Sequence, residues 1–181
     1  MRREPWWISG LHIDTAGSYS YDGQLTAEQF STACGHVGRN DAPKLLHDLW
    51  LAGAVDLSAY PGAVAEVWSL CEFPADAIDV WVDLFTEAGY THNTAPAERP
   101  AHPVTVYRGC HPERRFGMSW TADHEQARWF AARNLGGGVG NVYKVTAQPG
   151  WLLAYIGDKV RGESEYVIDP AHLSDSVVAR T

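Results

Sequence analysis

The chain has 181 residues, enough for one good core or a compact catalytic unit with a small helical appendage, and too few for two full-sized domains. With 45% apolar and 20% charged residues it has the composition of a folded globular chain, which excludes general disorder. Fourteen Lys and Arg against 22 Asp and Glu give a net charge of −8, which disfavours undirected binding to nucleic acid or an anionic membrane.

Cys34, Cys71 and Cys110 are odd in number and widely spaced, so neither a closed disulfide framework nor a close-spaced zinc motif is expected. The eight histidines offer no pair at metal-binding spacing, and no metal is expected. The basic start is interrupted by Ser9 and Gly10 before an apolar stretch reaches signal-peptide length. No run of about 18 apolar residues follows. The expectation is a cytoplasmic protein with no membrane contact.

In chain order, residues 1–25 carry Trp6, Trp7, Tyr19 and Tyr21 without a steady period and read as an irregular aromatic arm. Residues 26–90 read as helical. Thr26 and Gln29 form a capping box flanked by Leu25 and Phe30, and Phe30, Ala33, Cys34 and Val37 make one face. A second helix follows Asp41 and Pro43, with Leu45, Leu46, Leu49 and Trp50 inward and Gly53 as a stop. A third puts Val64, Val67, Trp68 and Cys71 on one side after a Ser58 cap and Pro61. A fourth runs from near Pro74 to Gly89 and buries Ile78, Trp81, Leu84, Phe85 and Ala88.

Three prolines and little to bury mark 91–103 as a connector. After it the period changes: 104–107, 142–145, 151–156, 166–168 and 176–178 are short β-branched or aromatic runs, and one helix spans about 123–134. Helices first and strands second predict an α+β protein, with 104–181 as its strand-rich part. The run Leu-Gly-Gly-Gly-Val-Gly at 135–140 follows a helix and leads into a strand, the reverse of a dinucleotide fingerprint, and reads as a connector.

Three fragments at strand edges carry chemistry: Val-Tyr-Arg-Gly at 106–109, Ser-Trp-Thr at 119–121 and Gly-Glu-Ser-Glu-Tyr-Val-Ile-Asp at 162–169. Alternation along a strand puts Glu163 and Glu165 on one face about 7 Å apart, with Tyr166 and Ile168 turned to the core. Two carboxylates sharing a site disfavour joint ionisation, and a nearby guanidinium relieves that repulsion. Arg108, at a strand end, offers a planar fork suited to phosphate or carboxylate. Thr121 caps the next helix if that helix begins at Ala122, and Asp123 caps it otherwise; Ser119 stands too early for either role.

Arg108, Ser119-Trp120-Thr121 and Glu163-Ser164-Glu165, in this order, resemble the Arg, Ser-Thr-Ser and Glu-x-Glu signature of arginine-type mono-ADP-ribosyltransferases, a family that includes bacterial toxins and phage-encoded enzymes. The likeness covers about 75 residues and extends to the Ala-x-x-Phe-Ala helix and the Val-Tyr-Lys-Val strand. It implies a sandwich of two small, mainly antiparallel sheets, on which the helical region would pack, with NAD held in the cleft between the sheets.

The resemblance implies that Arg108 holds the NAD phosphates, that Gly109 and Thr121 border the cofactor, and that Ser119 bonds Glu165 and the nicotinamide ribose. Glu165 would be catalytic, binding the ribose 2′-hydroxyl and stabilising the oxocarbenium-like charge. Glu163 would orient or deprotonate the acceptor, implying a protein arginine. An inhibitor or antitoxin partner fits the same setting; a nucleic-acid acceptor is disfavoured by charge. The alternatives are NAD glycohydrolysis and a non-catalytic interaction module of the same shape. In this sequence a tryptophan, expected to face the core, fills the middle of Ser-Trp-Thr, and the aromatic nearest the segment before Glu163 is Tyr155.

Overall fold

Helices fill the first part of the chain and strands the second, as the change of period predicts. In this computed structural model the chain divides into two units, Met1–Gly89 and Tyr90–Thr181. The description covers residues 4–5, 7–71, 78–133, 138–158 and 163–181, with the side chains of Asp158 and Glu163 excepted.

The first unit opens with a hairpin, β1 (Leu11–Ile13) against β2 (Tyr19–Tyr21), where an irregular arm is expected. Asp14 turns the chain by accepting from the Ala16 and Ser18 amides at 2.8 and 2.9 Å. Strands of three residues are too short to register a period, so the pairing is set by this turn and by burial of Leu11. Helix α1 (Ala27–Val37) begins with the expected capping box and buries Phe30, Ala33 and Cys34. Helix α2 (Ala42–Leu51) buries Leu45, Leu46 and Leu49, but Trp50 is only half-buried, tilted against His47 at 6.2 Å.

Helix α3 (Gly62–Leu70) is buried almost all round, with Pro61 at its N-cap. Ser58 does not cap it: Asp56 Oδ1 accepts from the Ser58 amide and hydroxyl and draws Ser58 into the preceding turn. Helix α4 is described as Ile78–Ala88, and the expected start near Pro74 lies outside the described residues. Trp68 packs edge-on to Trp81 and Phe85, with ring centroids 5.1 and 5.5 Å apart, which makes the aromatics of α3 and α4 one core.

The second unit holds β3 (Thr91–His92), β4 (Ala95–Pro96), β5 (Val104–Cys110), β6 (Ser119–Thr121), α5 (His124–Ala132), β7 (Asn141–Ala147), β8 (Leu152–Asp158), β9 (Glu163–Ile168) and β10 (Ala179–Arg180). The strand order is β10-β7-β5-β6-β9-β8-β3-β4, antiparallel except where β3 runs parallel to β8. The stretch 91–103 is therefore not all connector, since its start forms a hairpin on β8. The last strand also falls later than 176–178: the Val177 and Val178 amides bond Ser174 O in a turn, while Val178 still enters the core.

Strand β5 pairs with β7 at seven successive positions but with β6 only at Tyr107↔Thr121. Both sides of that single bridge fill one core, with Val106, Tyr143 and Val145 from one side and Trp120, Leu152 and Ile168 from the other. The α+β class stands, with a mixed, mainly antiparallel eight-strand sheet and a small two-strand sheet. Among the described residues, no helix is long and apolar enough to cross a membrane.

Candidate active site

Strands β5, β6 and β9 are neighbours, so the arginine, serine and glutamate fragments come together although they are separated along the chain. Ser119 faces Val167 and Thr121 faces Glu165 in the β6–β9 register, which puts Ser119, Thr121 and Glu165 on one face. Trp120 and Tyr166 point the other way, into the core, as alternation predicts. Trp120 is fully buried, and its indole N–H donates to Gly117 O at 2.7 Å. Glu165 is half-buried and aligned with Ile156 on its other flank. Glu163, two positions before Glu165 at the start of the same strand, is opposite Asp158.

Arg108 lies on the Val106 side of β5 and meets β6 where the ladder stops. Its Nη1 donates to Ser119 O at 2.6 Å and its Nε to Arg114 O at 3.0 Å. The contact to Ser119 is thus to its backbone carbonyl. Two of the five guanidinium donors are fixed in this way, which orients the planar group and leaves other donors for an anion. Gly117 lies against the guanidinium so closely that a Cβ there would stand 2.4 Å from Nη2.

The surroundings are basic. Arg114 is exposed, while Arg115 is tied to Asp175 at 3.0 Å and lies over the Phe116 ring at 4.3 Å. Burial pushes the Cys110 thiol up, and the charge and hydrogen bond of Arg108 offset part of that push.

Two proposed cofactor residues have structural partners. The Thr121 hydroxyl donates to Gln126 Oε1 at 2.7 Å and accepts from the Asp123 amide at 3.0 Å, which fixes the corner between β6 and α5. Asp123 is the true N-cap of α5, accepting from the Glu125 and Gln126 amides. Gly109 lets the α5 backbone rest on β5: a Cβ there would fall 1.8 Å from Ala127 O. The expected helix end at Asn134, and Leu135 to Gly137 of the glycine run, lie outside the described residues. Gly140 is described, and its amide donates to Ala131 O at 2.8 Å.

Sequence reasoning missed Gly117 and the Arg114 carbonyl, which together seat Arg108. The signal available was a glycine in Phe-Gly-Met directly before Ser-Trp-Thr. It also missed an aromatic row across four strands, Trp120, Tyr166, Tyr155 and His92, aligned by register. Tyr155 lies 4.8 Å from Tyr166 and 4.7 Å from His92, and burial pushes the Tyr166 phenol up. Among the described residues, no cluster of three His, Cys, Asp or Glu is placed to hold a metal. His12 instead bonds Asp22 at 3.2 Å.

No family model, curated protein or solved structure matches this chain.

Proposed function

We propose that the second unit is an NAD-dependent mono-ADP-ribosyltransferase acting on a protein arginine. The observation that carries the reading is the convergence at the β5–β6–β9 junction: a guanidinium seated on the Ser119 carbonyl, and Ser119 on the same sheet face as Glu165. Ser119 and Glu165 share one face, and the Arg108 guanidinium, on the Val106 side of β5, reaches the Ser119 carbonyl where the β5–β6 ladder ends; a serine, a carboxylate and an oriented cation at one junction suit a ribose with an attached diphosphate.

In this reading Arg108 binds the NAD diphosphate, and Ser119 and Glu165 hold the nicotinamide ribose, with Gly109 and Thr121 at its border. The bond from C1′ to nicotinamide breaks with its electron pair leaving on the ring nitrogen, and the Glu165 carboxylate stabilises the positive charge left on the sugar. The acceptor nitrogen then bonds C1′ and gives up its proton, which Glu163 receives. The single Tyr107↔Thr121 bridge supports a finer fold, in which β10-β7-β5 and β6-β9-β8-β3-β4 are the two sheets of a sandwich enclosing the shared core.

Incubation with labelled NAD and a cell lysate tests the proposal in wild type, Glu165→Ala and Glu163→Ala. Label on protein that is lost in both variants is the expected result. Nicotinamide release without label, abolished only by Glu165→Ala, would make the protein an NAD glycohydrolase. Absence of both nicotinamide release and an NAD-dependent thermal shift would leave a non-catalytic interaction module.

A further inference from the structure

Strand β3 has only two residues, yet the ladder on the outer side of β8 goes one step further. Asn93, immediately after β3, adopts a left-handed backbone with φ 58°, and its amide donates to Tyr155 O at 2.7 Å. Its side-chain Oδ1 accepts from the Gly157 amide at 2.8 Å. The side-chain carbonyl thus replaces the main-chain carbonyl that a longer β3 would have supplied. Asparagine suits this position because it tolerates the left-handed region and carries an acceptor of the right length.

Gly157 is the register partner of Ser164, and the next pair is Asp158↔Glu163, the first of β9. Holding Gly157 from its outer side therefore fixes the end of β8 against the strand that carries both glutamates. The same hairpin brings His92 against Tyr155, whose ring lies over Gly157 within 3.1 Å of where a Cβ would stand.

We propose that Asn93 is a positioning residue for acceptor use: through the Gly157 amide it fixes the strand end at Glu163 and so sets how much of the ADP-ribose released from NAD goes to an arginine nitrogen and how much to water. The proposal rests on the transferase reading. Glu165, two residues deeper in β9, is paired with Ile156 on β8 but also with Thr121 on β6, so it has a second anchor that Glu163 lacks in the ladder.

The test uses the full chain and compares wild type, Asn93→Gly and Asn93→Asp. Glycine keeps the left-handed backbone and removes the acceptor; aspartate keeps both. Asn93→Gly is expected to lose about tenfold in labelling of protein, a displacement effect of the kind a sub-ångström shift produces, while nicotinamide release changes less than twofold. Asn93→Asp is expected to restore labelling. Amide exchange at Gly157 is expected to rise at least about tenfold in Asn93→Gly only, as a freed edge amide requires. A wild-type ratio of labelling to release in Asn93→Gly, with wild type active, overturns the proposal and leaves the transferase reading intact. A wild type without NAD chemistry overturns that reading and the acceptor role with it, and the Gly157 exchange then decides alone whether Asn93 extends the ladder.

Discussion

Two glycines beside Arg108 separate the stability of the second unit from the function of its site. An alanine at 117 would put its Cβ 2.4 Å from Arg108 Nη2 and 2.7 Å from Cζ. Non-bonded contacts of this kind settle near 3.5 Å, so the guanidinium has to retreat by about 1 Å. That retreat stretches the bonds to Ser119 O and Arg114 O, now 2.6 and 3.0 Å, to the limit of hydrogen bonding or beyond. The obstacle is the end of a flexible side chain, so Gly117→Ala costs the fold only about 1–2 kcal/mol. If Arg108 holds the NAD diphosphate as proposed, NAD affinity should fall about tenfold or more, equivalent to one charged hydrogen bond. An alanine at 109 meets backbone instead, Ala127 O at 1.8 Å and Ala131 N at 2.6 Å. Helix α5 must lift from β5, at about 3 kcal/mol or more. At roughly 2–4 °C per kcal/mol, thermal unfolding should drop by about 6–12 °C in Gly109→Ala and far less in Gly117→Ala. Scanning fluorimetry measures the first effect and NAD calorimetry on a Glu165→Ala background measures the second. Equal melting losses, or unchanged NAD binding by Gly117→Ala, would refute the reasoning.

Three further outcomes follow from local contacts. Asp123→Ala removes the acceptor of two amides at the start of α5 and should cost about 1 kcal/mol in urea unfolding. Thr121→Val leaves Gln126 Oε1 and the Asp123 amide without their partner, and should cost about 1–3 kcal/mol while barely changing NAD affinity; a large affinity loss with normal stability would instead put the hydroxyl on the ligand. Burial, with Glu66 adding in the same direction, pushes the Cys34 thiol up to about 12. The folded thiol therefore keeps its proton to higher pH than the unfolded one. Its contribution to stability is complete below the ordinary thiol value of about 8.5 and is lost as pH rises through about 12. Urea unfolding at increasing alkaline pH should weaken more steeply in wild type than in Cys34→Ala, and identical slopes would argue against a buried neutral thiol.

Features of the fold that were legible in the sequence are those decided within one turn or one strand. The Thr26–Gln29 capping box needs four residues and formed as read. The inward turn of Trp120 and Ile168 follows from period-two alternation, which holds wherever a strand is half-buried. The missed features depend on pairing between distant segments. Thr91 lies beside Ala154 because β8 accepts a parallel neighbour, and nothing in a two-residue strand announces a partner 63 residues away. Ser58 was a plausible cap by type, but Asp56 competes for it two residues earlier. Within the candidate site, the types and order of Arg108, Ser119 and Glu165 were readable, whereas the arginine's attachment to a carbonyl rather than a hydroxyl depends on where the β5–β6 ladder ends.

That ending is what the proposed site rests on. If β5 and β6 stayed paired past Tyr107↔Thr121, Gly109 would fall opposite Ser119, and the Ser119 carbonyl could be taken by a backbone amide. The ladder stops after one pair, and the Arg108 side chain bonds that carbonyl instead. Gly109, on the other side of the same strand, lies under the α5 backbone. A helix seated on one side of β5 and a guanidinium bridging the gap on the other give the strand end two fixed boundaries, with Gly117 leaving room for the cation between them. The cost is a part-buried carbonyl served by a side chain rather than by backbone. The gain is a cation whose direction is set before any ligand arrives, which is the condition under which a phosphate contact adds affinity without the entropy of ordering an arginine.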